Sequence, residues 1–420
     1  MSEGTGTHRL RPAHWRAALA VLDAVWHRQR VADVTLQAWF RDHREMGGRD
    51  RAQLSGLVYG VLRDAMRLAR ICGPDADAAL LLAVHALDRG LVGADDLRGL
   101  AGPAVEAAQA RLSVFDPASL DAAARHNVPP VIWEAWCAQY GAGEAAALAL
   151  ALNREAPVDL RVNTVKTTRD AAVAALARDG IAASPTPYAP TGLRLARRAA
   201  LQAARAFRDG WVEPQDEGSQ LLAALVDARP GECVVDYCAG AGGKTLALGA
   251  AMRDAGELWA LDVDASRLAR LAPRARRAGL RGIHHEALPA TGWHERYRGR
   301  CDAVLVDAPC SGSGTWRRNP ELRLRPPDLP ALAAQQRRIL DAAASLLRAG
   351  GRLVYGTCSV LAAENEAVVA GFLRDYPDFA LQPAAERLRA PALELDGPWL
   401  RLLPQRHGTD GFFAACLQKR

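Results

Sequence analysis

The sequence predicts an α/β protein: a mostly parallel, Rossmann-like sheet, preceded by a small α/β segment and an all-helical amino-terminal domain. Three observations carry this. Over the last half of the chain, short β-rich runs at Glu232–Tyr237, Leu258–Asp262, Ala303–Asp307 and Arg352–Thr357 alternate with helical stretches such as Ala265–Ala278 and Leu332–Leu347, the spacing of βαβ units. Residues 14 to 112 instead place apolar residues three and four apart without β-branched runs, as helices do. Between the two, prolines punctuate a mixed segment. The expected domains are 1–120, 121–207 and 208–420, and 420 residues at 50% hydrophobic suffice for such cores.

Within the helical part, Trp15–Trp26 and Leu54–Leu68 carry the clearest apolar stripes, and Asp50–Arg63 adds arginines to the flanks of one. The middle segment reads as a helix (Gly143–Leu152), a strand (Val158–Val162), a second helix (Thr168–Asp179) and the turn Ser184–Pro187. No run reaches the roughly 18 apolar residues of a membrane span, and Met1–Arg11 lacks an apolar signal core. A cytoplasmic protein without membrane association is expected. The eight cysteines, Cys72, Cys137, Cys233, Cys238, Cys301, Cys310, Cys358 and Cys416, show no CxxC spacing, which argues against a zinc site and a disulfide framework. A net charge of +6 favours an anionic partner, nucleic acid first. Nearly all of it is arginine, so Lys244, inside a glycine-rich loop, marks a place for a compact ammonium.

That loop, Asp236–Thr245, follows the first strand of the sheet and opens a helix. A Walker A loop would need glycine at Cys238, and the dinucleotide fingerprint starting at Gly240 would need it at Thr245, so both fail. What remains is a turn whose amides and helix start hold a carboxylate, such as that of S-adenosylmethionine. Asp262, at the end of the second strand, suits a pair of ribose hydroxyls, and Glu286, after the third, suits the adenine.

The fourth strand ends in Asp307–Ala–Pro–Cys310 and the fifth in Thr357–Cys–Ser359, so each presents a cysteine at the ligand edge. Two thiols there suit one reaction. Cytosine C5 is too weak a nucleophile to take a methyl group unaided; a thiolate added at C6 makes it an enamine, and a carboxyl at N3, the place for Asp307, drains charge from the adduct. An ordinary thiol, near pKa 8.5, ionises little at neutral pH, so positive charge or helix-end amides must assist.

These residues resemble the Nol/Nop/Sun (Fmu) family of RNA cytosine-5 methyltransferases. The resemblance covers about 125 to 420 and rests on Leu160–Asn163, Gln215–Gln220, Asp307–Cys310, Thr357–Ser359 with Glu364–Glu366, and Asp410–Phe413. It implies a seven-stranded S-adenosylmethionine-dependent methyltransferase sheet, a nucleophile at Cys358 and a product-releasing role for Cys310. The cofactor contacts it implies are Cys238, Ala239, Gly240, Ala241, Gly242, Gly243, Lys244, Asp262, Glu286 and Asp307. The substrate it implies is RNA, 16S rRNA above all, acted on by a monomer to form 5-methylcytosine. Two departures stand out. The family's Cys-Ala-Ala-Pro-Gly-Gly-Lys-Thr is here Cys-Ala-Gly-Ala-Gly-Gly-Lys-Thr, a looser loop with weaker cofactor binding expected. Glu286 replaces an aspartate. The middle segment reads as an RNA-binding, RRM-like connector, and the helical region resembles a NusB-like RNA-binding domain shortened after about residue 90.

Arg317, Arg318, Arg323 and Arg325 beside Trp316 suit phosphates and a stacked base near the thiols. An unstacked cytosine is required, which favours loops or single strands as substrate. Phe412 and Phe413 are expected in the core of a late strand. Two other readings compete: a DNA or tRNA cytosine-5 methyltransferase, with Cys310 the trapped residue in the DNA case, and a non-catalytic RNA-binding ribosome-assembly factor.

Overall fold

The computed structural model describes residues 11–289 and 292–420; the polar amino-terminal run up to residue 10 lies outside the described residues. The chain forms two compact units, one comprising residues up to Glu155 with Thr315–Pro326, the other Ala156–Gly314 with Pro327–Arg420.

The first unit is helical. Helices Pro12–Trp26, Gly48–Arg63 and Ala78–Asp88 bury a shared core that includes Val21, Leu22, Leu54, Leu62, Leu81 and Leu82. The later helix Ala94–Val114 breaks at Ala101 and Gly102, just before Pro103, whose ring cannot continue a regular turn. Residues 121–155 pack with the helical unit, and side-chain bonding is part of the reason. The Asn127 carboxamide oxygen accepts from the amides of Met66 and Arg67 at 3.0 and 3.2 Å, capping helix Ala65–Cys72 from 60 residues away. Its nitrogen donates to Asp64, which also accepts from His85 and Arg89. Burial opposes ionisation of Asp64, yet the bonds from His85 and Arg89 prevail and hold its pKa at about 2.

The second unit contains two sheets. Strands β1 (Asp159–Val162), β2 (Ala183–Pro185), β3 (Gly192–Leu195) and β4 (Val212–Pro214) form an antiparallel sheet in the order β2-β3-β1-β4. It joins the rest of the unit through Asn163, whose amide donates to the carbonyls of Gly210 and Ala278 at 2.9 and 2.8 Å, and Lys166, which donates to those of Asp209 and Arg277. The large sheet comprises β5 (Cys233–Asp236), β6 (Glu257–Asp262), β7 (Ile283–Ala287), β8 (Cys301–Asp307), β9 (Leu347–Thr357), β10 (Phe379–Gln382), β11 (Leu400–Leu402) and β12 (Phe412–Lys419). Seven strands run β10-β12-β9-β8-β5-β6-β7, with β11 paired to β12 as an eighth. Strands β5 to β9 pair in parallel, whereas β12 lies antiparallel to its neighbours.

The long helix expected over Ala265–Ala278 is two, Ala265–Leu268 and Leu271–Ala278. Pro273 lacks the amide needed to bond back to Ala269, so the helix restarts. Glu286 lies within β7 and not beyond it. Phe413 is wholly buried and Phe412 nearly so, in β12 as expected. Among the described residues no helix is long and apolar enough to cross a membrane.

Candidate active site

The strand sequence reverses between β5 and β8, so their connections leave on opposite sides and a crevice opens beyond the carboxyl ends. The glycine loop enters this crevice from β5 and continues into helix Gly243–Ala251. Gly240 and Gly242 have φ of +55° and +82°, the left-handed region where a side chain is strained. A Cβ at Gly242 would also sit 2.3 Å from the Leu271 side chain. The loop expected to be loose is tied instead. The Gly240 amide donates to Asp262 Oδ2 at 2.7 Å, that of Gly242 to the Ala239 carbonyl at 2.8 Å, and the Arg274 guanidinium to the Ala241 carbonyl. These bonds supply restraint that a proline would otherwise provide.

Acidic groups surround the loop. Asp262, 7% exposed, has its other oxygen fixed by the Asp264 amide at 2.8 Å. Asp307 Oδ2 pairs with Lys244 Nζ at 2.6 Å, with 29% of its side chain open. Burial weighs against the Lys244 charge, but Asp307, Asp236 and the Cys358 sulfur outweigh it and raise its pKa. Asp236, at the end of β5, escaped the sequence reading although its strand-end position was the signal. It is 1% exposed; Thr245 Oγ1 donates to its Oδ2 at 2.7 Å, while Oδ1 is buried without a hydrogen-bond partner. Burial, relieved in part by the Thr245 bond, pushes its pKa up to about 7. An orphaned carboxylate oxygen beside a run of loop amides fits a ligand bearing both an ammonium and a carboxylate. The amino-acid end of S-adenosylmethionine is such a group.

Beyond the glycine loop, the two cysteine loops converge. Cys310 Sγ and Cys358 Sγ lie 3.4 Å apart, and both thiols remain partly accessible. The bond to Cys358 and then burial raise the Cys310 pKa well above the ordinary thiol value, so Cys310 keeps its proton. Burial, followed by the carboxylates of Asp307, Asp236 and Asp262, does the same to Cys238. A third loop closes the site. Gly314 donates to the Cys358 carbonyl at 2.9 Å and accepts from the Gly411 amide at 2.8 Å, an approach so close that a Cβ at Gly314 would fall 2.2 Å from the Gly411 oxygen. Phe412, next in the chain, places its ring 5.8 Å from Lys244 Nζ. Glu364, fully buried and bonded to Ser311 and Ser359, is a further residue to which the sequence reading gave no role.

Two of the arginines expected to hold RNA, Arg317 and Arg323, are buried. Arg323 is 1% exposed and donates to the carbonyls of Arg63 and Leu152, at 2.9 and 3.1 Å, and to Asn153. It lies over Trp316, which is itself buried against Trp136. Neither is free to meet a base or phosphate: both fill the interior of the helical unit. Arg317 is 6% exposed, leaving Arg318 the more accessible of the three. Arg325 donates to the Arg30 carbonyl. A cleft of about 960 Å³ lined by Arg161, Gln220, Arg253 and Arg387 contains neither thiol, so volume alone does not locate the chemistry. Among the described residues no cluster of His, Cys, Asp and Glu is placed to hold a metal.

Residues 223–418 match the family described as 16S rRNA methyltransferase RsmB/F, and 128–202 match the ferredoxin-like domain of RsmF/B-like methyltransferases. The chain is 33% identical over 313 residues to the Synechocystis protein named "Probable ribosomal RNA small subunit methyltransferase B", an alignment spanning 73% of this chain and 70% of that one. It is 38% identical to ribosomal RNA small subunit methyltransferase B of Pseudomonas putida, across 69% of this chain and 63% of the relative. The solved structure of a methyltransferase homologue from Pyrococcus horikoshii, 30% identical, superposes with a TM-score of 0.62 over 73% of this chain and 100% of that one.

Proposed function

The chain belongs to the RsmB/F family of S-adenosylmethionine-dependent 16S rRNA methyltransferases, and on that premise we propose that it methylates C5 of a cytosine in 16S rRNA with Cys358 as the nucleophile. The observation that carries the reading is the thiol pair, 3.4 Å apart, beside the Lys244–Asp307 ion pair. The nucleophile is the thiolate form of Cys358, and the protonated Cys310 donates a hydrogen bond to it. The thiolate forms a bond to C6, the displaced electron pair makes C5 nucleophilic, and a proton passed to N3 by way of Asp307 leaves the ring without negative charge. S-adenosylmethionine supplies the methyl group from its sulfonium. A base then takes the C5 proton, the C6–sulfur bond breaks, N3 gives up its proton, and Cys358 leaves as the thiolate, stabilised by the hydrogen bond from the Cys310 thiol. Asp236, the loop Cys238–Lys244, Asp262, Glu286 and Asp307 would hold the cofactor. A monomer acting on rRNA in the cytoplasm accords with the reading.

The test is transfer of radiolabelled methyl groups to rRNA from cells lacking the protein. Wild type is expected to form 5-methylcytosine, and Cys358→Ala to lose it by at least about 10³-fold, as removal of a covalent nucleophile requires. Cys310→Ala is expected to accumulate a protein–RNA adduct. Transfer undiminished in Cys358→Ala rejects the assignment.

A further inference from the structure

We propose that Glu364 is a positioning residue for the thiol pair: its buried carboxylate holds the Cys310 and Cys358 loops in register and fixes which sulfur keeps the proton. The proposal rests on the preceding reading only in naming Cys358 as the attacking sulfur.

Glu364 ends the short 3-10 turn Ala362–Glu364 that follows the Thr-Cys-Ser loop, and it is 0% exposed. Its Oε1 accepts from the Ser311 amide at 2.8 Å and from Gln336 Nε2 at 3.1 Å. Its Oε2 accepts from the hydroxyls of Ser311 and Ser359, each at 2.5 Å. Ser311 and Ser359 are the residues that immediately follow the two cysteines. Gln336 comes from helix Leu329–Leu346 and also donates to the Pro309 carbonyl at 3.0 Å, so the chain on both sides of Cys310 is tied to the same pair. A single carboxylate thereby spaces two loops that the chain itself separates by a long helix and a strand.

Charge, and not shape alone, explains a glutamate here. Among the described residues Glu364 forms no ion pair, and hydrogen-bond donors alone hold its carboxylate in a low-dielectric interior. That arrangement is costly. A glutamine would turn an amide NH₂ toward the donors now facing one of the oxygens. The negative charge of Glu364 is among the causes that keep Cys310 protonated. Glu364 thus favours the proton on Cys310, the sulfur hydrogen-bonded to Cys358.

The experiment compares iodoacetamide labelling of the Cys310 and Cys358 peptides by mass spectrometry across pH, in the full chain without RNA or cofactor. Wild type is expected to label first at Cys358. In Glu364→Gln that preference should fall about tenfold, the effect of one unit in relative thiol pKa; an unchanged preference in the folded variant overturns the proposal. Should Glu364→Gln fail to fold, Ser311→Ala keeps the carboxylate and removes a tether. It should lower kcat on the order of tenfold or more with KM for RNA unchanged, as misplacement of a reacting group does, and an unchanged kcat is equally fatal. If wild type traps RNA on Cys310, the nucleophile assignment fails while the labelling ratio still decides the role of Glu364.

Discussion

Asp236 shows how much one buried oxygen governs. Its pKa, raised from 3.8 to about 7, means that the fold keeps a proton the unfolded chain has already lost. Its contribution is therefore fully present below 3.8 and is lost as pH rises through about 7. Across about pH 5 to 8, Asp236→Asn should remove up to about 3 kcal/mol of that decline and, by losing the charge, weaken cofactor binding. Thermal denaturation of both proteins over this range checks it; equal slopes would contradict the assignment. The sequence displays Cys310, Cys358, Asp307 and Asp262 as candidates because each stands at a strand end inside a short motif, so position along the chain nearly determines position in space. Asp236 shares that position yet lacks a motif of its own, and Glu364 acts through partners in two loops that only the fold unites. Arg323 marks the opposite failure. An arginine after a catalytic loop suggests phosphate, but three carbonyl-type acceptors from Arg63, Leu152 and Asn153 take its guanidinium inside the helical unit.

At the scale of elements, parallel strands were legible because β-rich runs bounded by helical stretches have little alternative. The antiparallel strands were less so. β10 and β11 are four and three residues long, too short to show a period, and β2 ends in a proline. The loop crossing at Gly314 and Gly411 was invisible in sequence, since neither glycine has a positive φ there and the need for glycine arises from contact alone. A Cβ at Gly411 would come 2.5 Å from Val360 Cγ1 and 2.8 Å from Gly314 Cα. Gly411→Ala must push the Cys358 loop aside. Its expected effect is a loss of kcat on the order of 10²-fold, the consequence of an ångström-scale displacement at a reacting group, with cofactor affinity nearly unchanged. Steady-state kinetics with calorimetry checks this, and wild-type kcat would show that the crossing yields without consequence.

For the whole molecule, helical, mixed and sheet regions could be read in order, but the division into two units could not. Asn127 caps a helix 60 residues earlier, and Arg323 fastens Thr315–Pro326, inserted between β8 and the next helix, into the helical unit. No local pattern announces such long-range bonds. Association with RNA should follow the net charge of +6 and weaken steeply as salt rises. The central claim concerns which sulfur attacks. RNA carrying 5-fluorocytidine at the target position, incubated with the full chain and S-adenosylmethionine, leaves no C5 proton to remove and traps the adduct after methyl transfer. Mass spectrometry of the digested complex should find the nucleotide on the Cys358 peptide; finding it on the Cys310 peptide would contradict the account.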